Sequence, residues 1–313
     1  MKTPKMYCIY HSRDLDGWMS AAIVKLWYRS VKGTDEGLEL IGWDYGQPIP
    51  VLMTDRSVVM VDISFPIEEM KRIAKNANGE LTWIDHHKSA IEEFMRDDLI
   101  EEEQWLDCEL PKMEMGEPME LVGACELTWR HFFPKEEMPK MVEMLGSYDS
   151  FRFKGTTGEE LVHSYQYWAR AEMSNPEECE YYLLMSHDMM KSIRHGEMIR
   201  KYLQVEAKQQ MQHARPVEMR FDGKVGNYVQ CLALNRARFN PNNYEVKCLS
   251  FYQVFISYFQ QSDGKWNVSL YSIGDIDVSK IAKQYGGGGH KGAAGFIADD
   301  LDWMHGTDLP YTG

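Results

Sequence analysis

The first 90 residues alternate short apolar runs with helical stretches. Met6–Tyr10, Leu38–Trp43, Val58–Val61 and Leu81–Ile84 read as strands, with helices over Trp18–Arg29 and Ile67–Lys75. Strands that alternate with helices pair in parallel and are covered on their faces, which predicts an α/β sheet with its chemistry at the carboxyl ends of the strands. From Glu120 to Arg170 the pattern is mostly helical, and a long polar helix follows over Met189–His213. Strands return at Tyr228–Leu234, Cys248–Tyr258 and Trp266–Tyr271, with Ser262-Asp263-Gly264 as a hairpin turn, and a helix over Val278–Gln284 runs into a glycine tract. The fold class expected is therefore α/β with two domains. An N-terminal, mostly parallel sheet covered by helices (residues 1–190) is joined by a helical connector (191–216) to a smaller mixed α/β domain (217–313).

Each early strand ends on side chains of one chemical type. The first runs into His11-Ser12-Arg13-Asp14-Leu15-Asp16-Gly17, the third into Asp62, and the fourth into Asp85-His86-His87. Taken singly, an Asp-x-Asp-Gly is a turn with a solvated acid, and an Asp after a strand is a helix N-cap. Together the three segments deliver carboxylates and imidazoles to one sheet edge. Like charges so close raise one another's pKa unless a cation lies between them. Hard carboxylates mixed with imidazoles suit Mn²⁺, Mg²⁺ or Fe²⁺.

Gly286-Gly287-Gly288-Gly289-His290-Lys291-Gly292 supplies the counterpart. Four glycines cost backbone entropy with no packing use in view, so they read as backbone that approaches an anion closely and presents N–H groups to it. The alternative is a flexible surface loop, but Ala293-Ala294-Gly295-Phe296 continues into close-packing sequence. A local positive patch is what the composition requires of a phosphate-binding protein here. The chain carries 34 basic and 48 acidic residues, a formal net charge of −14, and so repels long duplex nucleic acid. No run approaches the roughly 20 apolar residues that span a bilayer. The N-terminus lacks a secretory signal, and none of the six cysteines forms a C-x-x-C pair. A cytoplasmic protein with no membrane contact is expected. The acidic run Asp97-Asp98-Leu99-Ile100-Glu101-Glu102-Glu103 reads as a solvated loop, and the polar connector offers a surface for a homodimer.

These segments resemble the DHH–DHHA1 phosphoesterases, the superfamily of nanoRNases, pAp phosphatases, dinucleotide phosphodiesterases and RecJ exonucleases. His11/Asp14/Asp16, Asp62 and Asp85-His86-His87 match the DHH motif set. Asp149, in Ser147-Tyr148-Asp149-Ser150-Phe151, is similar to its fourth acid, and Asp277 through Gly295 looks like the DHHA1 signature. The resemblance implies a site for two metal ions, usually Mn²⁺ (Mg²⁺, Co²⁺ or Fe²⁺ in its place). His11 and Asp14 would hold the first ion, Asp16, His86 and Asp149 the second, with Asp62 bridging. It implies catalytic roles for Asp62, for Asp85 as the acid that orients a histidine, and for His87 near the scissile phosphate. Gly287, Gly288, Gly289, His290 and Lys291 would bind the substrate phosphate. Two departures stand out: His11 lies three residues before Asp14 where a four-residue step is commoner, and Tyr271 stands where many nanoRNase-type members carry an arginine. Arg236, Arg238 or Lys291 could take over that phosphate contact. The expected activity is metal-dependent hydrolysis of nanoRNA, pAp or linear dinucleotides, with the cleft between the domains as the substrate slot. The alternatives are an exopolyphosphatase and, from another class, a non-catalytic nucleotide sensor.

Overall fold

The computed structural model describes residues 5–77, 80–95, 106–111, 119–185, 187–220, 228–237, 240–244, 251–289 and 291–306. The acidic run over 97–103, Arg238, Cys248 and His290 lie outside these residues. The chain divides into two units, Met1–Ile199 and Arg200–Gly313. No described helix is long and apolar enough to cross a membrane.

The first unit is built on a sheet of order β2-β1-β3-β4-β5, parallel throughout among the described residues: β1 Met6–His11, β2 Leu38–Trp43, β3 Ser57–Val61, β4 Leu81–Ile84 and β5 Leu106–Glu109. Alternating side chains point to opposite faces of a strand, so β1 serves two cores. Tyr7 and Ile9 pack with Met60, Trp83 and the buried faces of α2 (Ile67–Asn76) and α3 (Lys88–Met95). Cys8 packs with Val59, Val61, Ile84 and the inner face of α1 (Leu15–Lys32). Helices α4 (Ala124–Phe132), α5 (Lys140–Asp149), α6 (Glu159–Glu172) and α7 (Pro176–Leu184) extend that second face through a core with Tyr165 and Trp168 at its heart. Helix α8 (Met189–Gln210) follows.

The strand order decides where chemistry can sit. The chain leaves β1 to one side for β2 and then crosses to the other side for β3, so the carboxyl ends of β1 and β3 splay apart. This switch point is the crevice in which open α/β sheets bind ligands. His11 ends β1 and Asp62 follows β3 directly.

The second unit carries a mixed sheet of order β10-β11-β9-β8-β7-β6-β12. Its strands are β6 Arg215–Arg220, β7 Tyr228–Asn235, β8 Val254–Gln260, β9 Trp266–Ser272, β10 Gly288–Gly289, β11 Ala293–Ala298 and β12 His305–Gly306, and α9 (Val278–Gln284) covers one face. Gly264 takes φ 87° in the β8–β9 turn, the left-handed conformation its position demands. Several boundaries differ from the sequence reading. The polar helix ends at Gln210, Pro216 lies within β6, and β8 starts at Val254 rather than Cys248. Strands β5 and β6 had no strong apolar alternation to mark them.

Gly17 permits the tightest contact in the first unit. A Cβ at this position would meet the carbonyl oxygen of His11 at 2.1 Å. The glycine of Asp-x-Asp-Gly therefore lets α1 start hard against the end of β1, which sets Asp14 beside His11. Gly17→Ala should cost about 1–3 kcal/mol, the usual scale of overpacking, read as a lower urea midpoint at unchanged slope.

Candidate metal and phosphate site

Asp62 organises the site. It has φ 59°, a left-handed conformation that Asp tolerates better than most residues, while its amide still donates to Ile84 O at 2.9 Å and prolongs the β3–β4 ladder. The carboxylate is consequently turned back over the sheet edge and is 1% exposed. Its two oxygens face different partners. Oδ2 lies 3.5 Å from His11 Nδ1, which is itself 2.7 Å from Asp14 Oδ2. Oδ1 lies 3.4 Å from His86 Nε2, which is 3.1 Å from Asp149 Oδ2 and 3.6 Å from Asp16 Oδ2. Two groups able to grip a cation thus share Asp62, one through His11 and Asp14 and the other through His86, Asp16 and Asp149.

Each ligand candidate is held from behind. Asp14 is the N-cap of α1 and accepts from Gly17 N at 3.0 Å. Asp16 is 2% exposed and accepts the amides of Ala124 and Cys125, at 2.7 and 2.9 Å, at the N-terminus of α4. Asp149 closes α5 just before Phe151, which takes φ 58°, a costly conformation for a bulky residue. Stacking of Tyr148 on Phe153, with the His163 ring edge-on to both, braces that turn. Asp85 is fully buried; its Oδ1 lies 2.7 Å from His87 Nδ1 and accepts the backbone amides of His86 and His87. It therefore orients His87 specifically.

The electrostatics leave the acid cluster short of positive charge. Burial raises the pKa of Asp16 well above the ordinary carboxylate value, and the charges of Asp62 and Asp149 push it further. Asp62 is raised by burial and by Asp14. Burial pulls the histidines down, but the surrounding acids outweigh it. Asp14 and Asp62 carry His11 to about 11, and Asp149, Asp62 and Asp16 carry His86 to about 12. His87 rises to about 9, against burial, through its bond to Asp85. His11 Nδ1, His86 Nε2 and Asp62 Oδ1 are buried and make no well-aligned hydrogen bond, although oppositely charged atoms lie close to each. Buried polar atoms are rarely left so, and these three converge. A pair of divalent cations fits the donor set and would reverse the raised carboxylate pKa values.

Sequence inspection overlooked Glu126 and Arg152. Glu126 is 3% exposed, accepts from Gly123 N at 3.0 Å and takes a two-pronged ion pair from Arg152, with Nη2–Oε1 at 2.7 Å and Nη1–Oε2 at 3.1 Å. Arg152 also donates to Leu121 O at 2.8 Å. This clamp ties the start of α4, which holds Asp16, to the turn after Asp149. A Cβ on Gly123 would sit 2.5 Å from Gly146 Cα, so both glycines are needed for α4 and α5 to approach. Gly-x-x-Glu at 123–126 was the available signal, as a capping pattern, but nothing in it named the distant arginine.

The glycine tract differs from its sequence reading in one respect: packing does require it. Gly286 has φ 78° and ends α9 in a Schellman arrangement, with Gly286 N donating to Lys283 O at 3.2 Å and Gly287 N to Ala282 O at 2.9 Å. The Gly287 amide is therefore spent on the helix and is not available to an anion. A Cβ on Gly287 would meet Gly295 O at 2.0 Å, and Gly288 and Gly289 pair with Gly295 and Ala294 of β11. Lys291 is exposed, and its carbonyl accepts from Val278 N at 3.1 Å. Tyr271 lines an open depression of about 540 Å³ together with Asn267, Ser269, Gly287 and Gly295.

Comparison with known proteins agrees with the second unit. The DHHA1 domain family matches residues 250–304. A mimivirus protein, uncharacterized protein R106 of Acanthamoeba polyphaga mimivirus, is 22% identical over 306 residues; the match covers 92% of this chain but only 66% of that protein's length. Among solved structures, the pGpG-specific phosphodiesterase PggH of Vibrio cholerae aligns over 95% of this chain and 93% of its own at 14% identity, TM-score 0.47. An uncharacterized protein from Helicobacter pylori G27 aligns over 94% and 93% at 13% identity, TM-score 0.38. Residues 250–304 therefore carry the DHHA1 domain that the glycine-rich segment resembles, and the acid and histidine cluster lies in the unit that precedes it.

Proposed function

We propose that this protein is a two-metal-dependent phosphoesterase that hydrolyses short nucleotides: nanoRNA, pAp or linear dinucleotides. The observation that carries the proposal is Asp62, whose two carboxylate oxygens face two separate ligand groups, as a bridge between two cations must. When bound, the cations, with Mn²⁺ as the first candidate, supply an activated water and neutralise charge on attacking and leaving oxygens. The chain's own groups do the rest. His11, Asp14, Asp16, Asp62, His86 and Asp149 would hold the ions. Asp85 keeps His87 Nδ1 engaged and the ring protonated to about pH 9. That leaves Nε2 as the atom able to give a proton to a phosphoryl or leaving-group oxygen. The net charge of −14 disfavours long polyanions and supports a short substrate. Gly288 and Gly289, with His290 and Lys291, are proposed to receive the substrate's phosphate; Gly287 contributes through packing rather than through its amide.

The direct test is a substrate panel (a 5′-labelled dinucleotide, longer oligomers, pAp and inorganic polyphosphate) with Mn²⁺, Mg²⁺, Co²⁺ and EDTA. Release of mononucleotide or phosphate from the short nucleotides, lost in EDTA, is expected; faster turnover of polyphosphate, or none of any substrate, refutes the assignment. Asp62→Ala should abolish turnover at every metal concentration. His87→Ala should lower kcat by about 10²–10⁴, the usual worth of a positioned proton donor, while Mn²⁺ still binds.

Mn²⁺ binding should release protons, because His11 and His86 are protonated below about 11 and 12 and must lose a proton to ligate. Apparent affinity should therefore rise with pH between 6 and 9. Calorimetry in buffers of different ionisation enthalpy reads the released protons, and heats independent of buffer would contradict the coupling.

A further inference from the structure

We propose that Asp44 is a positioning residue for His11, accepting a hydrogen bond from Nε2 so that Nδ1 is the nitrogen presented to the metal. The inference rests on the two-metal reading above. In the parallel pairing of β1 with β2, His11 lies beside Trp43, and Ser12 N donates to Trp43 O at 2.9 Å. That register brings the next residue, Asp44, alongside the imidazole. Asp44 Oδ1 lies 3.6 Å from His11 Nε2, on the edge of the ring away from the other acids. Nδ1, on the opposite edge, is buried and faces Asp14 Oδ2 at 2.7 Å and Asp62 Oδ2 at 3.5 Å.

A neutral imidazole that ligates through Nδ1 must carry its proton on Nε2, and that proton needs an acceptor. Asp44 is the carboxylate in place. Its own position is doubly fixed, since Oδ2 pairs with Arg13 Nε at 2.7 Å and Oδ1 accepts from Tyr45 N at 2.9 Å. The Tyr45 ring stands edge-on to His11 at 6.1 Å, and its hydroxyl accepts from Ser64 N at 3.4 Å, two residues past Asp62. Arg13, Asp44 and His11 thus form a chain running from solvent to the metal site. The approach from 3.6 Å to hydrogen-bond length needs a movement of under about 1 Å. Asp44 belongs to none of the three groups whose atoms converge for a metal. Its carboxylate acts through the histidine, by fixing the tautomer and raising the basicity of Nδ1.

The test is Mn²⁺ titration of the full chain, followed by electron paramagnetic resonance and calorimetry, for wild type, Asp44→Asn and Asp44→Ala. Two binding sites per chain are expected in the wild type. Asp44→Ala should weaken one of them about 10–100-fold, the usual effect of losing an outer carboxylate, and leave the other unchanged. Asp44→Asn, which keeps an accepting oxygen, should weaken the same site less. Histidine ¹⁵N spectra of the Mg²⁺-loaded wild type should show His11 with its proton on Nε2. Two Mn²⁺ sites that Asp44→Ala leaves alone, or weakens equally, overturn the inference, as does a proton on Nδ1. A wild type that binds no Mn²⁺ overturns the two-metal reading itself, and the inference with it.

Discussion

Asp14, Asp16, Asp62 and Asp149 repel one another, and the first unit is arranged to keep them together at the edge of its sheet. Burial makes the repulsion worse, since a carboxylate out of water is both less solvated and less screened from its neighbours. The protein offsets part of this cost with its own groups. Asp16 takes two amides at the start of α4, and Asp14 takes one at the start of α1. His11 and His86 are drawn toward the protonated form by the same acids. Yet Asp16 and Asp62 still have raised pKa values, so amides and imidazoles do not balance the charge. A cluster that its own fold fails to neutralise is suited to holding cations.

Much of the unit's detail follows from holding these side chains still. The backbone is forced into left-handed conformations at Asp62 and Phe151, both within the site. Gly17, Gly123 and Gly146 remove the Cβ atoms that would push α1, α4 and α5 away from their contacts. The Glu126–Arg152 clamp then locks α4 to the turn after Asp149, so Asp16 and Asp149 are positioned by one shared brace. Such strain persists only where the surroundings over-determine it, and here four helices and three strand ends do so.

The sequence showed which acids and histidines gather at the sheet edge and little of how they are braced. Strand ends at His11, Asp62 and Asp85 were legible because apolar runs stop there abruptly, and parallel order followed from the helices between them. The strand order 2-1-3-4-5 was not legible, because local periodicity carries no information on which side of β1 the chain turns. Asp44 and Arg152 were invisible for a related reason: each acts through a partner distant along the chain or on a neighbouring strand, and neither stands in a pattern. The glycine tract was read as free to meet a ligand, whereas Gly286 caps a helix and Gly287 lies against β11. Gly286 and Gly287 serve packing, which leaves Gly288 and Gly289 for binding in the proposed function.

The account's central claim is that two cations share Asp62. Anomalous diffraction at the manganese edge from crystals grown with Mn²⁺ tests it most directly. Two peaks about 3.5–4 Å apart are predicted, one among His11, Asp14 and Asp62 and the other among Asp16, Asp62, His86 and Asp149. A single peak, or manganese bound elsewhere with Asp62 left uncoordinated, would contradict it.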